Sequence, residues 1–279
     1  MLIGPDLLAV WGDPIAHSLS PVLHTAAYRA LGLDWRYTRR RVDAASFGAA
    51  LHGLDASWRG LSLTMPLKTP AFRAARTRDR RAELSGAVNT LLLTDDGPHG
   101  FNTDVGGIAR DLRTHGLAGV GSARVIGAGA TATSAVLALA ELGATAVEVA
   151  ARRVDSAAPL VALGERIGVA VHAVPLDAAG HEPTPLTVAA LPGGAQVPDE
   201  VADAAAAGGG ILYDVVYGQW PTDLARAWQR AGGTAVPGRG MLTEQALLQV
   251  RVFVHGDPDT PLPDEPAVLA AMRAAVTGD

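Results

Sequence analysis

The sequence predicts an α/β protein in which at least the second half is a parallel sheet covered by helices on both faces. From Gly121 onward, strand and helix patterns alternate over residues 123–126, 131–142, 147–150, 160–167, 170–174, 186–190 and 211–215. Such alternation implies right-handed crossovers, which pack helices against both faces of parallel strands. The first turn of that series, Val125-Ile126-Gly127-Ala128-Gly129-Ala130-Thr131-Ala132, sets two glycines between a strand and an alanine-rich helix. A third observation is bulk composition: 279 residues, 48 % apolar and 18 % charged, supply core enough for two domains or one large one.

Residues 7–11 form the first apolar run and the first expected strand. Asp13-Pro14-Ile15-Ala16-His17-Ser18-Leu19-Ser20-Pro21 follows. Ser20 before Pro21 predicts a helix start, with the hydroxyl as N-cap and proline where no N–H is missed, and the helix runs to about Leu31. Ser18 and Ser20 are either capping groups or two hydroxyls that hold an oxygen-rich ligand. Residues 35–42 read as a strand, 44–52 as a helix and 58–63 as a buried strand ending in Thr64-Met65-Pro66-Leu67-Lys68. A lysine just past a strand's carboxyl end sits where open α/β sheets bind ligands, although an average lysine is a solvated charge.

Gly86-Ala87-Val88-Asn89-Thr90 leads into a hairpin, 91–93 against 99–101, around the turn-rich stretch 94–98. Asn102-Thr103-Asp104 opens a helix running to about His115, and there Asp104 has a sufficient local reason in the helix dipole. Arg73 to Arg81 reads as a solvated helix face, with acids at Asp79 and Glu83. Met241 to Val254 is strongly helical; Gln245 lies on its apolar stripe, as a core hydrogen-bonder or a ligand group. A last helix is expected over 267–276.

In the glycine turn, Gly127 permits the sharp strand-to-helix reversal, and Gly129 lets a pyrophosphate approach the backbone. Ala132 allows close helix packing, and phosphate faces the free N–H groups of the helix N-terminus. The next strand ends Ala150-Ala151-Arg152-Arg153 without the terminal acid that binds a ribose 2′-hydroxyl. Arginines there suit a 2′-phosphate, so NADP is expected over NAD.

The net charge of −5 argues against nucleic acid and acidic membrane surfaces as partners. Absence of cysteine excludes disulfides, thiolate metal sites and a cysteine nucleophile, and fits a reducing cytoplasm. No run approaches the ~18 apolar residues of a membrane span. Residues 1–6 lack the pattern of a signal peptide. No His/Asp/Glu trio has metal-ligand spacing, so no metal is expected, and His17 and His24 read as structural.

Seven of these segments, in order, closely resemble the shikimate dehydrogenase family: 14–21, 63–68, 86–90, 102–104, 127–132, 214–217 and 240–246. The resemblance implies an N-terminal α/β substrate domain (1–104 with 240–279) and a Rossmann-like NADP-binding domain (105–239), with C-terminal helices returning to the first. It places the active site in the cleft between them. It implies reversible NADP-linked reduction of 3-dehydroshikimate to shikimate. By position, Lys68 and Asp104 match the family's catalytic pair. Ser18, Ser20, Thr64, Asn89, Tyr217 and Gln245 match its substrate-binding residues. Gly127, Ala128, Gly129, Ala130, Thr131, Ala132, Arg152, Arg153 and Gly240 correspond to its cofactor-binding positions. Thr25, Ala130, Ala151 and Ala189-Ala190-Leu191-Pro192 depart from the family pattern, mostly on the cofactor side.

The chemistry agrees independently. Hydride transfer to a carbonyl creates an alkoxide, a lysine ammonium can protonate it, and a carboxylate can orient that ammonium. The alternatives are quinate or an amino-shikimate as substrate, with NAD or NADP, and a non-catalytic dinucleotide-binding regulator. A cytoplasmic monomer or homodimer is expected.

Overall fold

A computed structural model describes residues 6–117, 119–180, 182–218 and 220–277. The expected lack of a signal peptide concerns residues that lie outside this range, apart from Asp6. The chain divides into two compact units, Met1–Gly107 with Thr243–Asp279, and Ile108–Leu242.

The first unit contains β1 (Leu7–Gly12), α1 (Ser20–Ala30), β2 (Arg36–Arg41), α2 (Phe47–His52), β3 (Trp58–Leu63), α3 (Lys68–Ala74), β4 (Thr77–Arg78), α4 (Arg80–Ser85), β5 (Thr90–Thr94) and β6 (Gly97–Phe101). α5 (Thr103–Thr114) starts here and continues into the second unit. The sheet order is β2-β1-β3-β5-β6-β4. β1 pairs in parallel with β2 and β3, whereas β5 opposes both β3 and β6. Trp11, Phe47, Leu61, Leu63, Leu67 and Leu91 fill one face.

Three local expectations are corrected. Ser20 is already helical: the N-cap is Leu19, without a side-chain cap, and the Ser18 Oγ accepts from the Ser20 N–H at 3.3 Å. The second helix begins at Phe47 rather than Ala44, because Asp43 Oδ1 accepts from the Ser46 N–H at 2.8 Å and holds the chain in a turn. The basic cluster is no single helix face but spans α3, β4 and α4. Within it, Arg78 ties elements together, donating to the carbonyls of Phe72 at 3.1 Å and Ala75 at 2.7 Å and to Glu83 at 2.6 Å.

The second unit contains β7 (Ser122–Ile126), α6 (Ala130–Glu141), β8 (Ala146–Ala151), α7 (Ala158–Ile167), β9 (Ala170–Pro175), β10 (Leu186–Ala189), α8 (Asp199–Ala207), β11 (Ile211–Asp214), α9 (Asp223–Arg230) and β12 (Thr234–Pro237). α8, α9 and β12 add to the elements expected from sequence. Every pairing is parallel and the order is β12-β11-β10-β7-β8-β9. This is the doubly wound arrangement, whose direction of winding reverses beside β7. α10 (Arg239–His255) begins in this unit and continues into the first, where α11 (Glu265–Thr277) packs along α1. Among the described residues no helix is long and apolar enough to cross a membrane.

Candidate active site

One edge of the first sheet collects six of the polar groups that the sequence singles out. β1 and β3 run together, with Trp11 opposite Leu63, so the segments leaving them emerge on the same side. β5 runs against β3, with Ser62 opposite Thr90, so its beginning lies on that edge too. β6 reverses again, and its end returns there, with Phe101 opposite Thr90. Ser18 and Ser20 thus follow β1, Thr64 and Lys68 follow β3, Asn89 precedes β5 and Asp104 follows β6. Gly12 keeps the first two segments close: a Cβ there would overlap the Thr64 methyl and lie 2.9 Å from the Met65 carbonyl.

Lys68 and Asp104 are a bonded pair, Nζ donating to Oδ2 at 2.6 Å, with side chains 16 % and 7 % exposed. Their helix positions differ electrostatically. Asp104 occupies the first turn of α5, where the dipole favours a carboxylate. Lys68 is the first residue of α3, where the dipole opposes a cation, so Asp104 offsets an unfavourable placement. The Asp104 backbone N–H is held at 3.1 Å by Asn102 Oδ1, and Asn102 Nδ2 donates to Ser85 Oγ at 2.8 Å. Asn89 donates from Nδ2 to Asp104 Oδ1 at 2.8 Å and to Thr103 Oγ1 at 2.9 Å. Ser20 and Gln245 are buried, and Ser18 and Thr64 are half-buried. Gln245 lies against α5, where a Cβ on Gly107 would come within 2.6 Å of its own Cβ.

Sequence reasoning passed over Thr90, Asn102 and Gln249, which bond to this cluster. Gln249 had a signal, since it lies one turn beyond Gln245 on the same helix face. His24 is buried, as a structural histidine should be. Desolvation lowers its pKa to about 3, partly opposed by its hydrogen bond to Gln249.

In the second unit the glycine turn follows β7. Gly127 has φ +119°, and a Cβ would lie 2.7 Å from the Ala190 carbonyl, so the backbone and its neighbour both require glycine. At Gly129 a Cβ would meet nothing within 4 Å, so the chain's own packing does not demand glycine there. α6 starts at Ala130 without a side-chain cap, and Ala132 is fully buried. An uncapped helix N-terminus behind an open glycine suits a pyrophosphate. Ala128 and Thr131 are half-buried, and Ala130 is exposed.

Arg152 and Arg153 are exposed immediately after β8. The acid within that strand, Glu148, is engaged by Arg124 and lies 3.5 Å from His172 Nε2. Tyr217 is half-buried on the loop after β11, and burial raises its phenol pKa. Asp214 shapes that loop by accepting from the Val216 N–H at 3.0 Å and Thr222 Oγ1 at 2.7 Å; burial raises its pKa as well. Gly240 has an internal reason, because a Cβ would overlap the Asp111 carboxylate.

A family model described as the shikimate dehydrogenase substrate binding domain matches residues 10–91. The shikimate dehydrogenase (NADP(+)) of Halobacterium salinarum is 37 % identical, over 97 % of this chain and 98 % of its own. The crystal structure of Mycobacterium tuberculosis shikimate dehydrogenase aligns with TM-score 0.80 and 42 % identity, covering 97 % of this chain and 99 % of that one. The Thermus thermophilus shikimate 5-dehydrogenase, solved in complex with NADP(H) and shikimate, aligns with TM-score 0.79 and 32 % identity over 96 % and 99 %. With the part-buried Lys68–Asp104 pair on one sheet and the glycine turn on the other, these likenesses over nearly the whole length place the chain in the shikimate dehydrogenase family.

Proposed function

We propose that this chain catalyses the reversible NADP-linked interconversion of 3-dehydroshikimate and shikimate, acting in the cytoplasm as a monomer or homodimer. The observation that carries the reading is the part-buried Lys68–Asp104 pair on the shared strand edge. The relatives' named activity, and the Thermus complex with both small molecules, support the substrate and cofactor.

When bound, NADP(H) supplies or accepts the hydride. Lys68 donates a proton from Nζ to the oxygen that becomes an alkoxide during reduction, and takes it back during oxidation. Asp104 holds that ammonium in place. Ser18, Ser20, Thr64, Asn89, Tyr217 and Gln245 bind the substrate's hydroxyls and carboxylate, each contact discriminating against an analogue that lacks the group. The turn from Gly127 to Ala132, with Gly240, receives the cofactor, and Arg152 and Arg153 pair with its 2′-phosphate. No acid at the tip of β8 repels that phosphate, since Glu148 is committed to Arg124. The substrate domain is assigned to 1–104 and 240–279 and the cofactor domain to 105–239.

The test follows reduced nicotinamide by its absorbance, with shikimate and quinate each paired with NADP and NAD. The highest kcat/KM is expected for shikimate with NADP. Preference for quinate or for NAD would move the enzyme to a sister activity, and no turnover with any pair would favour a dinucleotide-binding regulator.

A further inference from the structure

We propose that Gln249 and Thr90 are positioning residues for the Lys68–Asp104 pair, acting through a one-way chain of hydrogen bonds that starts at Tyr28; this rests on the function proposed above. The direction of each link follows from groups that have no choice. The Asn89 backbone carbonyl only accepts, and Gln249 faces it at 3.1 Å, so that atom is the amide nitrogen, Nε2. The same nitrogen donates to Thr90 Oγ1 at 3.1 Å. Gln249 Oε1 is then an acceptor of hydrogen bonds, from Ser62 Oγ–H at 2.8 Å and from His24 Nε2–H at 3.1 Å. His24 therefore carries its proton on Nε2. Burial keeps the ring neutral, so Nδ1 accepts from Tyr28 Oη–H at 3.0 Å.

Toward the pair the direction continues unchanged. Thr90 Oγ1 donates to Asn89 Oδ1 at 2.8 Å, and the Thr103 N–H donates to the same oxygen at 2.9 Å. A backbone N–H can only donate, so Asn89 Nδ2 is left to face Asp104 Oδ1 at 2.8 Å. The chain reads Tyr28, His24, Gln249, Thr90, Asn89, Asp104, and Lys68 donates to the other carboxylate oxygen. His24, Gln249, Thr90, Asn89 and Asp104 are all buried, so each link is polarised by the one before it and exchanges little with water. The chain fixes Asn89, and Asn89 fixes the face of Asp104 turned away from Lys68.

Thr90→Val keeps the β-branched shape but removes the link. With less donation to Asp104 Oδ1, more of the carboxylate's charge faces Lys68. Shikimate oxidation by Thr90→Val or Gln249→Met should show kcat lowered by up to about 100-fold, the cost of a misplacement of about 1 Å at a catalytic group. The KM for NADP should be unchanged and the midpoint of the rise of kcat with pH displaced upward. Thr90→Ser, which restores the hydroxyl, should bring the midpoint back. A midpoint that stays or moves down in whichever of these variants folds overturns the proposal, whatever happens to kcat. On the wild-type enzyme, nitrogen NMR of the histidine rings should find His24 protonated on Nε2, and an Nδ1–H tautomer overturns the chain without any variant. Wild-type enzyme that fails to turn over shikimate would sink the functional reading instead, leaving the tautomer result to judge the chain.

Discussion

On the first sheet Lys68, Asp104 and Asn89 are side chains bonded in series: Asn89 is 2 % and Asp104 5 % exposed, and each contacts the other. On the second sheet the candidate groups are backbone and surface: an open Gly129, an uncapped helix start and two exposed arginines. The difference follows what the proposed roles require of each. Acid–base chemistry needs one ammonium in one place, which buried hydrogen bonds fix. A pyrophosphate needs a concave row of N–H groups, and any small-residue turn ahead of a helix can supply one. Side-chain identity therefore matters most on the first sheet, and Cβ volume matters most on the second.

The sharpest probe of that contrast is Lys68→Ala, which should cut single-turnover hydride transfer by ~10²–10⁴-fold, the usual worth of a positioned acid or base. The shikimate KM should change far less, and near wild-type turnover would remove Lys68 from the mechanism. On the other sheet, Gly127→Val should act through volume and backbone alone, costing roughly 1–3 kcal/mol for the strained φ in addition to its clash with Ala190. Cofactor titration and urea unfolding should both report it, and a variant with wild-type stability would break the steric half of the comparison.

Acid stability tests the buried half. His24 is held neutral in the fold, with a pKa of about 3 against 6.5 in the free side chain. Below pH 6.5 the unfolded chain binds a proton that the folded chain refuses. Stability should therefore fall as pH drops from 6.5 toward 3, by up to about 1.4 kcal/mol per pH unit, and be indifferent to this group above 6.5. The wild type minus His24→Gln difference in unfolding free energy isolates the effect, and an unchanging difference would show that His24 titrates freely. The smallest effect is expected at the exposed arginines: Arg152→Ala should raise the NADP KM about tenfold, as loss of a charge-assisted bond does, and leave the NAD KM nearly unchanged. Equal changes with both cofactors would take the 2′-phosphate away from Arg152.

Much of the second unit was legible because its signals are local. Alternating periods and a glycine pair between strand and helix dictate a parallel sheet, and Gly127 does take the positive φ that its place implies. Lys68 and Asp104 could be picked out by segment resemblance, and each also had an ordinary local explanation. Local rules misplaced Ser20, whose proline neighbour marks the helix correctly while the capping role goes unused.

By itself the sequence determined most of the elements, though not α8, α9 and β12, together with the α/β class and the residue types available for binding and proton transfer, since propensity, period and turn chemistry act over a few neighbours. Only the tertiary structure decided which of those residues meet. The reversals of β5 and β6 bring Asn89 and Asp104 to the edge where β1 and β3 end. Gln249 reaches Ser62 across 187 residues and His24 across 225, and no local pattern announces that pairing. The direction of the hydrogen bonds was decided there as well, because a buried amide has one workable orientation only after its fixed donors and acceptors have been folded around it.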